Sequence, residues 1–171
     1  MKISPRILGL SLVVLAFAYA AHGEGDATKE RGELAKAAGS AKVSLEAGLS
    51  ASASQGTPIS AKFELEDGKL QLSVYTEQNG EFSEVVSDPQ SGKVAKTEAI
   101  TEGDDLSAAK AQSAAIAKAR GSLVEAVRKA TAARPAYAAV SIVPKVTDGN
   151  GTAEVMLVKG KEWKTVTAKL D

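Results

Sequence analysis

Apolar and polar positions alternate most clearly between Ile59 and Val86. Ile59, Ala61, Phe63 and Leu65 alternate with polar residues, Leu70, Leu72 and Val74 repeat the pattern, and Phe82, Val85 and Val86 follow. A period of two places one apolar face on a sheet. Asp67-Gly68 and Asn79-Gly80 separate the three runs, and both dipeptides accept the positive φ that two-residue hairpins need. The pattern predicts a three-stranded antiparallel meander with one buried face, closed by Asp88-Pro89-Gln90-Ser91-Gly92.

Helical stretches precede this meander and follow it. Asp26 to Ser54 is rich in Ala, Lys and Glu, with a predicted break near Gly39-Ser40. Its better half is Ala41 to Ser54, where Leu45 and Leu49 share a face and Gly56-Thr57-Pro58 stops the helix. Val94 to Gly103 reads as a charged connector with at most a short strand at its start. Asp104 and Asp105 suit a helix N-terminus, and Leu106 to Ala133 is helix-forming, with Ile116, Leu123, Val124 and Val127 as anchors and Gly121 as a point of interruption or close packing. Beyond Arg134-Pro135, three more strand-like runs follow. Val140, Ile142 and Val143 form the first, Ala153 to Val158 the second and Trp163 to Leu170 the third, with Asp148-Gly149 and Lys159-Gly160-Lys161 as turns. Pro144 places the end of the first of these at an edge or a bulge.

The order of elements therefore repeats. Leu45 corresponds to Leu123, Leu49 to Val127, Pro58 to Pro135, Phe63 to Val140, Asp67-Gly68 to Asp148-Gly149 and Phe82 to Trp163, which gives the second copy a slightly longer first hairpin. The expected fold class is α+β, two repeats of a helix packed on a three-stranded antiparallel β-meander. The first repeat, with its N-terminal helix, covers residues 24–98 and the second, more divergent one residues 99–171. Whether the copies stand apart or join edge to edge is open at this level.

Residues 1–23 change the cellular picture. Lys2 and Arg6 precede an apolar run from Ile7 to Ala20, and small residues follow it. That run falls short of the about 20 residues of a membrane span and reads as a secretory signal peptide, cleaved after Ala20 or after Gly23. The expected location is periplasmic or secreted, with membrane contact only through the uncleaved signal peptide. Without the two basic residues of that segment, the chain carries slightly more acid than base, which gives no electrostatic case for nucleic acid. Cysteine is absent and the single histidine, His22, sits at the cleavage zone. Cleavage after Gly23 leaves neither His nor Cys and removes Cys/His and Ser-His-Asp nucleophiles and the common zinc sites, whereas cleavage after Ala20 leaves His22 as the second residue, where it could bind copper weakly with the free amine. No catalytic residue, cofactor or metal site is expected.

The arrangement resembles the PepSY domain of secreted peptidase propeptides. The resemblance rests on the Leu45/Leu49 helix face, on Ala61-Lys62-Phe63-Glu64-Leu65-Glu66-Asp67-Gly68, on Leu70-Gln71-Leu72-Ser73-Val74-Tyr75, and on Phe82 to Val86 with the Asp88-Pro89-Gln90-Ser91-Gly92 turn, where Ser91 takes the family's usual Thr place. It implies an exported non-enzymatic binding module, protease-inhibitory or peptide- and protein-binding, whose partner is an envelope or secreted protein such as a protease. A tandem of such units is also similar in architecture to a bacterial protein inhibitor of β-lactamase, at the level of fold only.

Four residues stand out as binding candidates. Glu64 and Glu66 are expected on the solvent face of a strand, with Gln71, Ser73 and Tyr75 across from them, and Tyr75 and Trp163 are aromatic candidates for a contact, with Tyr137 a further exposed aromatic. The alternative reading is an envelope metal-ion or small-ligand sensor or chaperone that uses this acidic face. Asp148-Gly149-Asn150 lacks the remainder of a calcium-loop spacing and reads as a hairpin turn.

Overall fold

A computed structural model describes residues 24–171, and the predicted signal peptide lies outside the described residues. Four α-helices and seven strands form an α+β fold built on one antiparallel sheet. The chain runs α1 (Glu24–Ala38), α2 (Leu45–Ser52), β1 (Thr57–Glu66), β2 (Lys69–Gln78), β3 (Glu81–Ser87), β4 (Val94–Ile100), α3 (Gly103–Ile116), α4 (Leu123–Ala132), β5 (Ala138–Thr147), β6 (Asn150–Lys159) and β7 (Glu162–Lys169). Strand order is β4-β3-β2-β1-β5-β6-β7, so the two meanders join edge to edge through β1 and β5.

The hairpins form where Asp-Gly and Asn-Gly permit. Asp67 and Gly68 (φ 50° and 74°), Asn79 and Gly80 (55° and 83°) and Asp148 and Gly149 (50° and 81°) all have positive φ at both central positions, as type I′ turns require. Both helix breaks occur near the expected places. After each break a serine caps the next helix: Ser44 Oγ accepts from the Ala47 amide and Ser122 Oγ from the Glu125 amide, each at 3.2 Å.

Helices α2 and α4 pack on each other and on one face of the sheet, α2 over β1 and β2 and α4 over β5, β6 and β7. Leu45, Leu49, Leu123 and Val127 meet Ala61, Phe63, Leu72, Val74, Ile142, Val155 and Leu157 in one core. Each such Leu or Ile contributes about 1.5–3 kcal/mol by leaving water. The approach of α2 is close because residue 48 is glycine. A Cβ there would stand 2.3 Å from Leu72 Cδ2.

Four expectations need correction. First, the first meander has a fourth strand, since β4 pairs with β3 along its length (Val85↔Thr97, Val86↔Lys96). Its charged alternation is that of an outer strand exposed on one side, which hides it in a sequence scan. Second, the sheet's other face is also covered. Leu106, Ala109 and Ile116 of α3 pack against Ile59, Tyr75, Phe82 and Ile100 in a second core. Third, Pro144 is buried within β5, a central strand, and pairs with Ala153. Proline cannot donate to a ladder, and the β1·β5 ladder holds only Ala61↔Ile142 and Lys62↔Ser141, ending before it. Fourth, Phe63 does not correspond to Val140. Register shifts fall at Ile59 in β1 and at Val140 in β5, so those two residues are equivalent, as are Ser60 and Ser141. Phe63 then matches Pro144. The strands of the first hairpin are equally long in both halves, and the extra residues of the second half lie earlier: α4 is two residues longer than α2 and the link to β5 one residue longer than the link to β1.

The halves share more than strand order. The Lys42 and Val43 amides donate to Pro89 O at 3.0 and 3.1 Å, and the Arg120 and Gly121 amides donate to Leu170 O at 2.7 and 3.0 Å. In each half the loop before the capped helix is tied to the carbonyl just past the third strand.

Candidate functional site

Two polar clusters meet the sequence candidates. The first crosses β1, β2 and β3 on the face beneath α3. Lys62, only 9% exposed, pairs with Glu64 (Nζ to Oε2, 2.5 Å). The other oxygen of Glu64 accepts from Ser73 Oγ at 2.5 Å and from Gln71 Nε2 at 3.1 Å. The Lys62 ammonium lies 5.7 Å from the Tyr75 ring centre, and the Tyr75 hydroxyl donates to Glu84 Oε1 at 3.3 Å. Nearby, Ser60 Oγ donates to Gln112 Oε1 at 2.7 Å and ties β1 to α3.

The electrostatics of this strip divide its two carboxylates. Burial opposes ionisation of Glu64, but the Lys62 charge and the hydrogen bonds from Lys62, Ser73 and Gln71 prevail and lower its pKa. Glu84 is 4% exposed, and burial, with the nearby Glu64 charge, raises its pKa against the hydrogen bonds from Ser73 and Tyr75 and the Lys62 charge. Burial likewise raises Tyr75, with the Glu84 and Glu64 charges adding to it. Burial also raises Asp105, at the start of α3, against the pull of Lys62. Opposed pKa values can serve acid–base chemistry, but only beside a substrate space. Here Tyr75, Glu84 and Lys62 are all buried.

The sequence candidates therefore separate. Glu64 is half-buried in a satisfied network, whereas the expectation put it on an open acidic face. Glu66 is exposed at the end of β1 and takes no part in that network. Tyr75, 6% exposed, belongs to the hydrophobic core beneath α3, which corrects its reading as an exposed contact. The cause is common to both: α3 covers a face that alternation alone assigns to solvent. Lys62 and Glu84 were missed for the same reason, although Glu84 shares the parity of Phe82 in β3.

The second cluster lies at one end of the β5–β6–β7 meander. Trp163, half-buried, is the second residue of β7 and takes the place that Phe82 has in β3. The Arg31 guanidinium of α1 lies 5.7 Å from its ring centre. Tyr137, just before β5, has the ammonium groups of Lys164 and Lys159 at 5.2 and 5.9 Å from its ring centre. The hydrogen bond with Tyr137, together with Lys164, lowers the pKa of Glu162, and Tyr137 and Glu162 together raise that of Lys164. Half-exposed aromatics beside Arg and Lys are the composition of interface anchors. Arg31 and Tyr137 join Trp163 only through the fold.

Among the described residues no group of three or more His, Cys, Asp or Glu side chains could hold a metal ion, and no helix is long and apolar enough to cross a membrane. Comparison with protein-family models, with curated proteins and with solved structures finds no match.

Proposed function

We propose that the protein is an exported, non-enzymatic binding module made of two PepSY-like repeats, and that it holds a protein or peptide partner of the envelope, a protease among the candidates. The observation that carries this reading is the aromatic and cationic end of the second meander, where Trp163 and Tyr137 are half-exposed beside Arg31, Lys159 and Lys164. Such a surface suits an acidic partner. The paired repeats support it as scaffold: equivalent serine caps, equivalent bulges and equivalent loop-to-strand ties recur in both halves. The reading as an ion sensor on the acidic face has less support, because the oxygens of Glu64 are already engaged by Lys62, Ser73 and Gln71.

The test is affinity capture from envelope extract with the wild-type protein and with a Tyr137→Ala/Trp163→Ala variant. A saturable partner retained by the wild type and lost from the variant is the expected result. A partner held equally by both moves the surface elsewhere, and no saturable partner at all sinks the reading. If the captured protein is a protease, its hydrolysis of a peptide substrate falls as the wild-type protein is added.

A further inference from the structure

The seam between β1 and β5 contains an opening beside the start of α2. After Lys62↔Ser141 the β1·β5 ladder stops. The next opposed residues, Phe63 and Val140, do not pair, and both line a cavity of about 270 Å³. Its remaining wall includes Ala38 at the end of α1, Ala41 in the loop that follows, Leu45 of α2 and Ala139 of β5. Lys42, Ser44, Glu46 and Thr131 also line it and supply its polar groups.

Internal symmetry says what fits there. Ala38 ends α1 as Ile116 ends α3. The turns that follow are the same bond for bond: Gly39 N to Ala35 O, Ser40 N to Ala37 O and Ala41 N to Ala38 O in the first half, and Ala117 N to Ser113 O, Lys118 N to Ala115 O and Ala119 N to Ile116 O in the second. Val140, on the cavity wall, is the equivalent of Ile59. In the second half the Ile116 side chain packs against the cluster that contains Ile59. In the first half the same position is Ala38, and the space stays open. Where Ile116 stands in the second half the first half has only the methyl group of Ala38, although the halves also differ here at Val43 and Gly121, Glu46 and Val124, and Phe63 and Pro144.

We infer that this opening receives an Ile or Leu side chain from an extended peptide of the partner, so that the partner completes the first half as Ile116 completes the second. The occupant is a peptide because the wall is apolar at the floor while an exposed cation (Lys42) and a half-buried anion (Glu46) stand among its linings, which suits an apolar anchor flanked by polar main chain. This inference rests on the binding-module reading and names the partner's anchor and where it docks.

A displayed library of random linear peptides, panned against the purified wild-type protein, supplies the probe. Recovered peptides are then measured against wild type, Ala38→Ile and a control, Glu81→Ala, at the β2–β3 turn. The expected result is a shared Ile or Leu at one position, affinity reduced at least tenfold by Ala38→Ile and by replacing that anchor with Ala, and no change with Glu81→Ala. Ala38→Ile should also raise the melting temperature, since it fills the opening from within. Ala41→Val narrows the same space and serves if Ala38→Ile does not fold, as judged by its amide NMR spectrum. Peptides that bind Ala38→Ile as tightly as wild type overturn the inference and leave the binding-module reading in place. Recovery of no peptide overturns the inference, and absence of a partner in envelope extract then removes the broader reading as well.

Discussion

Tyr75 and Glu84 stand directly opposite each other across the β2–β3 ladder, and the tyrosine hydroxyl donates to the buried carboxyl at 3.3 Å. The pair lies beneath α3, with Lys62 and Glu64 alongside on β1, Glu98 opposite Glu84 on β4, and Asp105 at the start of α3. A carboxyl in that position is held more easily neutral than charged.

That relationship fixes a pH dependence of stability. The pKa of Glu84 is raised in the folded state, so its contribution is complete below the unfolded carboxylate pKa and is lost as pH rises through the folded value. Glu64 is lowered, so its contribution is present above the unfolded pKa and is lost as pH falls through the folded value. Melting temperature should therefore be highest in mildly acidic solution and decline on both sides. Glu84→Gln should melt higher than wild type at pH 8, by roughly 2–4 °C if the gain is about 1 kcal/mol, and should match it at pH 4. A wild-type melting temperature that rises steadily from pH 4 to pH 8 would contradict this.

Lys62 and Glu64 form an ion pair on the face that α3 covers. Lys62→Met should cost about 2–4 kcal/mol in a urea titration, because it leaves the Glu64 carboxylate without its counter-charge. The double variant Lys62→Met/Glu64→Leu should recover most of that loss. If the double variant is as unstable as the sum of the single ones, the pair is not coupled as described.

Gly48 sets the approach of α2 to β2. Gly48→Ala gains about 1 kcal/mol of helix propensity, but its methyl group meets Leu72 at both Cδ2 and Cγ. Overpacking costs about 1–3 kcal/mol, so the net change should be destabilising. With Leu72→Ala the sign should reverse, since the added methyl then enters vacated space. Chemical denaturation of the four proteins in this cycle measures the interaction.

Asp88 organises the turn between β3 and β4. Its Oδ1 accepts from the Ser91 hydroxyl and amide, both at 2.7 Å, and from the Gln90 amide at 3.1 Å. The same turn holds the loop before α2 through Pro89 O, and Gln90 Nε2 donates to Ser40 O at 2.9 Å. Asp88→Ala should therefore speed hydrogen exchange at Ser91 and also at Lys42 and Val43, far away in sequence. Equal exchange at Lys42 and Val43 in the two proteins would show that the turn and the loop are held independently.

The sequence makes the short-range structure readable. Asp67-Gly68, Asn79-Gly80 and Asp148-Gly149 carry their backbone preference in their own residue types, and all three sit in the turns expected of them. The Leu45 and Leu49 stripe likewise marks a buried helix face. Lys62, Tyr75 and Glu84 are different. Their burial depends on where α3 docks, and that docking joins residues distant in sequence, such as Ser60 and Gln112. An alternating strand is ambiguous between one covered face and two, and a lysine on it reads as solvent-exposed by default. Strand β4 was obscured for another reason: the positions that share the face of Ile100 are Lys96 and Glu98, half-buried and paired with each other, and the exposed ones are Ala95, Thr97 and Ala99, so no apolar alternation forms. Of the binding candidates, Trp163 was visible as the single tryptophan, while Arg31 and Tyr137 are separated from it along the chain.

The two bulges at Ile59 and Val140 leave the middle of the sheet with the shortest ladder in it, while every other neighbouring pair of strands comes from consecutive segments. Both meanders can thus be assembled from local hairpins, each closing a short loop, before the chain has to find its one distant strand partner. Refolding should then run in two stages, with the outer strands gaining amide protection first. The central seam and the α2–α4 contact across it come last, so substitutions there should speed unfolding far more than they slow folding.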